Sequence, residues 1–149
     1  MAETKAQQKA AYPLPAYNFQ VVVDGQSASF SDVSGLVIEY ETVTYRHGFS
    51  DWEGETIARV KPMKHIPVTL KKGTVPGQNF LSDWLGQEPA KGRAMAISLC
   101  DEAGKPVVVW HIKEAIPTKL TAPTFDVNAN QVSIETLDLT VSGISVEHV

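Results

Sequence analysis

The stretch Leu36–Tyr45 constrains this chain most, because its two-residue alternation changes phase partway along. Leu36, Ile38 and Tyr40 alternate with Val37, Glu39 and Glu41, so one face is apolar and the other acidic. Beyond Glu41 the apolar positions move to Val43 and Tyr45, with Thr42 and Thr44 opposite. A period of two implies an extended strand, and a phase change within it implies a bulge or bend. Such a strand can serve two sheets, or one sheet and a neighbouring subunit. The preceding Asp32-Val33-Ser34-Gly35 reads as a tight turn, and Arg46-His47-Gly48 as a charged exit. The expectation is a mainly β chain, a two-sheet β-sandwich or half-barrel, whose role is assembly rather than catalysis.

The rest of the chain fits one domain. Residues 1–16 read as a flexible N-terminal arm, polar and Ala-rich to residue 11 and then held extended by Tyr12-Pro13-Leu14-Pro15. Residues 17–149 read as a single β-domain. Tyr17, Phe19, Val21 and Val23 alternate along a first strand that ends at an Asp24-Gly25 turn. Ile66, Val68 and Leu70 mark another strand, and Met95, Ile97 and Leu99 a third, followed by a hairpin loop over Asp101–Pro106. On the return strand Val108, Trp110, Ile112 and Ile116 share one face, with His111, Lys113 and Ala115 opposite; Pro117 and Pro123 then bracket a loop. Val132 and Ile134 are out of phase with Leu137, Leu139 and Val141, a second sign of a bent strand, and Ser142-Gly143 reads as a turn. Val33-Ser-Gly35 and Val141-Ser-Gly143 echo one another, over too few positions to indicate duplication. The one short α-helix falls at Phe80, Leu81, Trp84 and Leu85, ended by Gly86 and Pro89, with its apolar stripe lidding an open end of the β-core.

Residues 46–64 follow neither period. Phe49, Trp52, Ile57, Val60 and Met63 are scattered among Asp51, Glu53, Glu55, Arg59 and Lys61. A loop this long usually has a task. Two readings stay open: a loop that buries its own apolar residues, or an arm whose aromatic residues insert into another subunit.

Sites of chemistry are not evident. The net charge of −4 and the scattered Lys and Arg argue against a nucleic-acid footprint. A single Cys100 makes no internal disulfide, no apolar run approaches a membrane span, and the N-terminus lacks a signal-peptide core. The expectation is therefore synthesis in the cytoplasm without a signal peptide. His47, His65, His111, His148 and Cys100 show no metal-ligand spacing, and no nucleophile elbow or phosphate loop occurs. Asp51, Glu53 and Glu55 lack the pattern of a calcium loop. No catalytic residue, metal or cofactor is expected.

Taken in order, several pieces resemble one family. They are Phe30-Ser-Asp-Val-Ser-Gly-Leu36 with Glu39 and Glu41, Tyr45-Arg46-x-Gly48, Val68-Thr-Leu-Lys-Lys-Gly73, the helix with Trp84, the Asp101–Pro106 hairpin with Trp110, Ala115-x-Pro117-x-Lys119, and Asn130-Gln-Val-x-Ile-Glu135-x-Leu-x-Leu139. From Tyr17 to Val146 the chain resembles the tail tube proteins of contractile phages and the inner tube proteins of extracellular contractile injection systems. It departs from them at His47 and Phe49, where an acidic residue and a second glycine are frequent, and at Lys72, where arginine is common. The Tyr12–Pro15 arm favours an injection system over a phage.

The resemblance implies hexameric rings whose inner sheets join into one shared β-barrel. It implies that rings stack into a hollow tube, with sheath, baseplate and spike proteins as partners and effector cargo in the lumen. The target membrane would be met only by mechanical penetration, in a particle released outside the cell. Under it, residues 46–64 become an extended stacking loop between rings, carried by Arg46, Phe49, Trp52, Ile57, Arg59 and Met63. Glu39, Glu41 and Glu135 would face the lumen or the shared barrel. The competing expectations are a monomeric ligand-binding β-barrel, with 46–64 as a lid over a pocket lined by Trp84 and Trp110, and a hydrolase with an unrecognised triad.

Overall fold

The structure is a computed structural model that describes residues 13–46, 55–88 and 91–149. The strands are β1 (Phe19–Val23), β2 (Gln26–Ala28), β3 (Asp32–Ser34), β4 (Tyr40–Arg46), β5 (Glu55–Pro62), β6 (Ile66–Gly73), β7 (Arg93–Cys100), β8 (Pro106–Thr121) and β9 (Ile134–His148). One short helix, α1 (Phe80–Gly86), lies between β6 and β7. Seven strands form one antiparallel sheet in the order β2-β1-β7-β8-β9-β6-β3, and β4 pairs with β5 as a second, two-stranded sheet.

Connectivity alone forces the large sheet to curl. β2 and β3 are its two edges, yet only Ser29, Phe30 and Ser31 join them. Four Cα steps reach at most roughly 14 Å, whereas six strand spacings in a flat sheet span roughly 29 Å. The edges must therefore approach, and the sheet becomes a half-barrel left open between β2 and β3. Its inner face holds the core: Val21 and Val23, Ile66, Val68 and Leu70, Met95 and Ile97, Ile112 and Ala115, and Leu137, Leu139 and Val141. As expected, α1 closes this core, burying Leu81 and Trp84. The Arg93 guanidinium stacks 5.3 Å from the Trp84 ring and 5.8 Å from that of Phe80, joining β7 to the lid.

The Asp24-Gly25 turn is as read: both residues have positive φ, 53° and 81°, which suits a two-residue hairpin between β1 and β2. The Asp101–Pro106 loop also forms. The Asp101 carboxylate accepts the Ala103 and Lys105 amide protons, and the Asn18 side-chain amide donates to the Cys100 and Asp101 carbonyls.

Five local expectations are corrected. Asp32-Val33-Ser34 is no turn but an edge strand on β6, with Val33 opposite Leu70. β4 begins only at Tyr40, since residues 35–39 are not paired as sheet. Residues 55–62 form a strand where no period was visible, because it has solvent on both sides and nothing imposes alternation. β8 runs through Pro117: past Ala115 it has lost β7 and, among the described residues, pairs with β9 alone, and a strand with one neighbour tolerates a missing N–H.

The fifth correction concerns the bend. Buried positions step three residues, from Ile112 to Ala115, while the facing β7 steps two, from Met95 to Arg93. This bulge carries Ala115 onto the core face, not the face of His111 and Lys113. β9 makes the same three-residue step from Val141 to Ile144, and Gly143 lies in the strand at φ 71°, packed against Lys113, rather than in a turn. The paired strands bend together, so the phase change lies at 141–144 and Val132 precedes the strand.

Candidate assembly interface

β3–β4 and β5–β6 are two segments of one long ladder. Ser34 faces Thr69, the Met63 amide donates to the Glu39 carbonyl at 2.8 Å, Tyr40 faces Pro62, and Arg46 faces Glu55. Gly35 is the break point. It has φ 92°, and a Cβ there would lie 2.6 Å from the Pro67 carbonyl oxygen. The residues on either side of it, Val33 and Leu36, are half-buried and pack on the core. From Val37 to Tyr45 every side chain is exposed. The strand thus leaves its own core partway along, and the hairpin β4–β5 stands free of the half-barrel.

That hairpin is apolar on the outside. Eight of the fifteen exposed large hydrophobic side chains among the described residues lie between Val37 and Met63. Register places Val43 and Tyr45 on one face, facing Ala58 and Thr56, and Thr42 and Thr44 on the other, facing Arg59 and Ile57. Arg59 stacks 4.1 Å above the Tyr40 ring, and Lys61 pairs with Glu41 at 3.7 Å. Both contacts are exposed and stiffen the hairpin base only modestly.

Of the expected stacking residues, Ile57 and Arg59 share the second face by register, and Ile57 is 72% exposed; Arg46 ends β4. Met63 sits at the hairpin base, near Ser142 and Ile144 of β9. Phe49 and Trp52 lie outside the described residues. The three expected lumen carboxylates are not brought together. Glu39 and Glu41 flank the hairpin base, whereas Glu135 faces Lys72 at the opposite end of β6.

Two further surfaces were not foreseen. β8 and β9 are sheared, so among the described residues β8 lacks a second neighbour beyond Ala115 and β9 lacks one beyond Val141. These half-edges sit on opposite sides of the sheet. The 122–133 connection exposes Phe125 at 87% and Val127 at 100%. The signal was present in the sequence as apolar residues amid Pro, Asn and Asp, but no period marks such residues as exposed.

The pocket expected between Trp84 and Trp110 does not form. Trp84 is 1% exposed beneath α1, while Trp110 lines a separate cavity of about 520 Å3 with Tyr17, Phe19, Val33 and Leu36. Cys100 is buried, and among the described residues no three His, Cys, Asp or Glu side chains gather as metal ligands.

The comparisons agree with this geometry. The profile of the T4-like virus tail tube protein gp19 family matches residues 15–145. A chain of an extracellular contractile injection system, the PVC sheath-tube complex in its extended state, is 30% identical; the match covers 99% of this chain and 100% of that one, with a TM-score of 0.88. A chain of the anti-feeding prophage cap that terminates its tube is 29% identical over 93% of each chain, with a TM-score of 0.85. Hcp1 from Flavobacterium johnsoniae, at 13% identity, shares the fold with a TM-score of 0.52 over 88% of this chain and 95% of its own. No curated protein matches the sequence. With 131 of its residues matched by the family profile, the chain belongs to the T4-like virus tail tube protein gp19 family and is a tail tube protein.

Proposed function

We propose that this chain forms rings of six that stack into the rigid inner tube of an extracellular contractile injection system. The observation that carries this reading is the free-standing β4–β5 hairpin with its exposed apolar faces. A monomer gains nothing from holding Val43, Ile57 and Val60 in water, whereas a neighbouring ring can cover them. Arg46, Phe49, Trp52, Ile57, Arg59 and Met63 are the stacking residues in this reading. Covering a side chain such as Ile57 is worth about 2 kcal/mol, and six copies per junction multiply a modest contact into a firm one.

Ring closure uses the sheared strands. Among the described residues, Ile116–Thr121 of β8 is unpaired on one side of the sheet, and Ser142–His148 of β9 on the other. Two different half-edges support a head-to-tail contact, which closes into a ring when the rotation allows. The half-barrels then share one inner barrel. Glu39 and Glu41 are assigned to its lumen or to the shared barrel face, whereas Glu135 lies on the core side of β9 in phase with Leu137 and Leu139.

The role is mechanical rather than catalytic. The relatives' sheath-tube complex and tube cap support a sheath around this tube. The remaining partners are a baseplate and a tip spike, in a particle released outside the cell. On contraction the tube crosses the target membrane by force, with effector cargo carried in the lumen. The Ile57→Asp variant tests the stacking role: folded rings without long tubes are expected, and tubes of normal length would show that the hairpin does not join rings.

A further inference from the structure

We infer that the 122–133 loop is the socket that receives the β4–β5 hairpin of the next ring; this rests on the stacking reading and names the other half of that junction. A stack repeats head to tail, so the surface at one end of a subunit must meet a different surface at the other end. The long ladder defines those two ends. The hairpin continues it beyond Ile66, whereas the 122–133 loop leaves β8 at Thr121 and rejoins β9 at Ile134, which faces Gly73 at the other end of β6. β6 alone separates them by roughly 23 Å along the strand direction.

Both ends are apolar and open. On the hairpin Ile57 is 72% exposed and Tyr45 43%; on the loop Phe125 is 87% exposed, Val127 100% and Val132 77%. The loop holds these side chains in a fixed turn. The Asp126 carboxylate accepts the Asn128 amide proton at 3.0 Å, and the Asp126 carbonyl accepts that of Ala129 at 3.1 Å. A further tie anchors its end, where the Thr74 amide donates to the Ser133 carbonyl at 2.9 Å. The occupant is therefore a second copy of this chain, presenting Ile57 to Phe125 and Val127.

The test uses the full chain carrying Ile57→Cys and Val127→Cys, assembled under reducing conditions and treated with a short bismaleimide cross-linker. The native Cys100 is fully buried and does not compete. A denaturing gel ladder extending beyond six chains is expected, because linkage runs from ring to ring along the tube. A ladder that stops at six would place the contact within one ring and overturn the inference. Absence of cross-linking in intact tubes would also overturn it, while leaving the hairpin's stacking role standing. The Phe125→Asp/Val127→Asp variant gives an independent check: folded rings with loss of tubes are expected, and either normal tubes or loss of the rings themselves would refute the socket.

Discussion

Substituting Gly35 with alanine tests how the chain leaves its core. At φ 92° an L-residue is strained, and the new Cβ would lie 2.6 Å from the Pro67 carbonyl oxygen and 3.3 Å from the Val68 Cα. The neighbour is backbone of β6, so no flexible side chain can yield. The left-handed conformation costs about 1–2 kcal/mol, and shifting a paired strand adds about as much again, giving a loss of about 2–4 kcal/mol. For a domain of this size that corresponds to a fall in Tm of about 5–15 °C. Gly73→Ala is the control: nothing lies within 4 Å of its added Cβ and its φ is ordinary, so a change within about 0.5 kcal/mol is expected. The assay is urea unfolding of both variants and the parent in the unstacked Ile57→Asp background, with equal oligomeric state checked by sizing. A loss under about 1 kcal/mol for Gly35→Ala, at an unchanged slope, would refute Gly35 as the close-contact break point.

Other substitutions separate the core from the assembly surface. Trp84→Ala removes a fully buried ring from beneath α1 and should cost about 3–5 kcal/mol by chemical denaturation. Val43→Asp, on an exposed face of β4, should leave ring stability within about 0.5 kcal/mol of the parent yet abolish tubes in electron micrographs. Glu39→Lys should leave tube assembly intact while changing retention of a charged fluorescent cargo; loss of rings would count against its lumen assignment. Cys100, buried at the end of β7, should react with a thiol reagent only as fast as the domain opens, so labelling without denaturant should be slow.

The sequence revealed the fold where burial imposes a pattern. Val21/Val23, Val68/Leu70 and Leu137/Leu139 each alternate because one face of the half-barrel is packed and the other is not. The Leu36–Tyr45 phase change was legible because β4 carries an irregularity against β5 between Tyr40 and Thr42, where the alternation resets. β5 was illegible because solvent bathes both of its faces, so Ile57 and Val60 need keep no period. Pro117 and Gly143 read as breakers because each normally ends a strand. Here Pro117 lies where β8 has one neighbour, and Gly143 supplies a positive φ at a bend shared by two strands. Glu135 shows the limit for the site: its register against Lys72 sets it on the inner side of β9, far from Glu39, and single-strand periodicity cannot report which strand lies opposite.

The most direct measurement is electron microscopy of the purified full-length chain across a concentration series, paired with a sizing column. Six-membered rings that stack into hollow tubes as concentration rises are expected, with Ile57→Asp arresting the series at rings. A monodisperse 16.2 kDa monomer at every concentration would contradict assembly as the role of this chain.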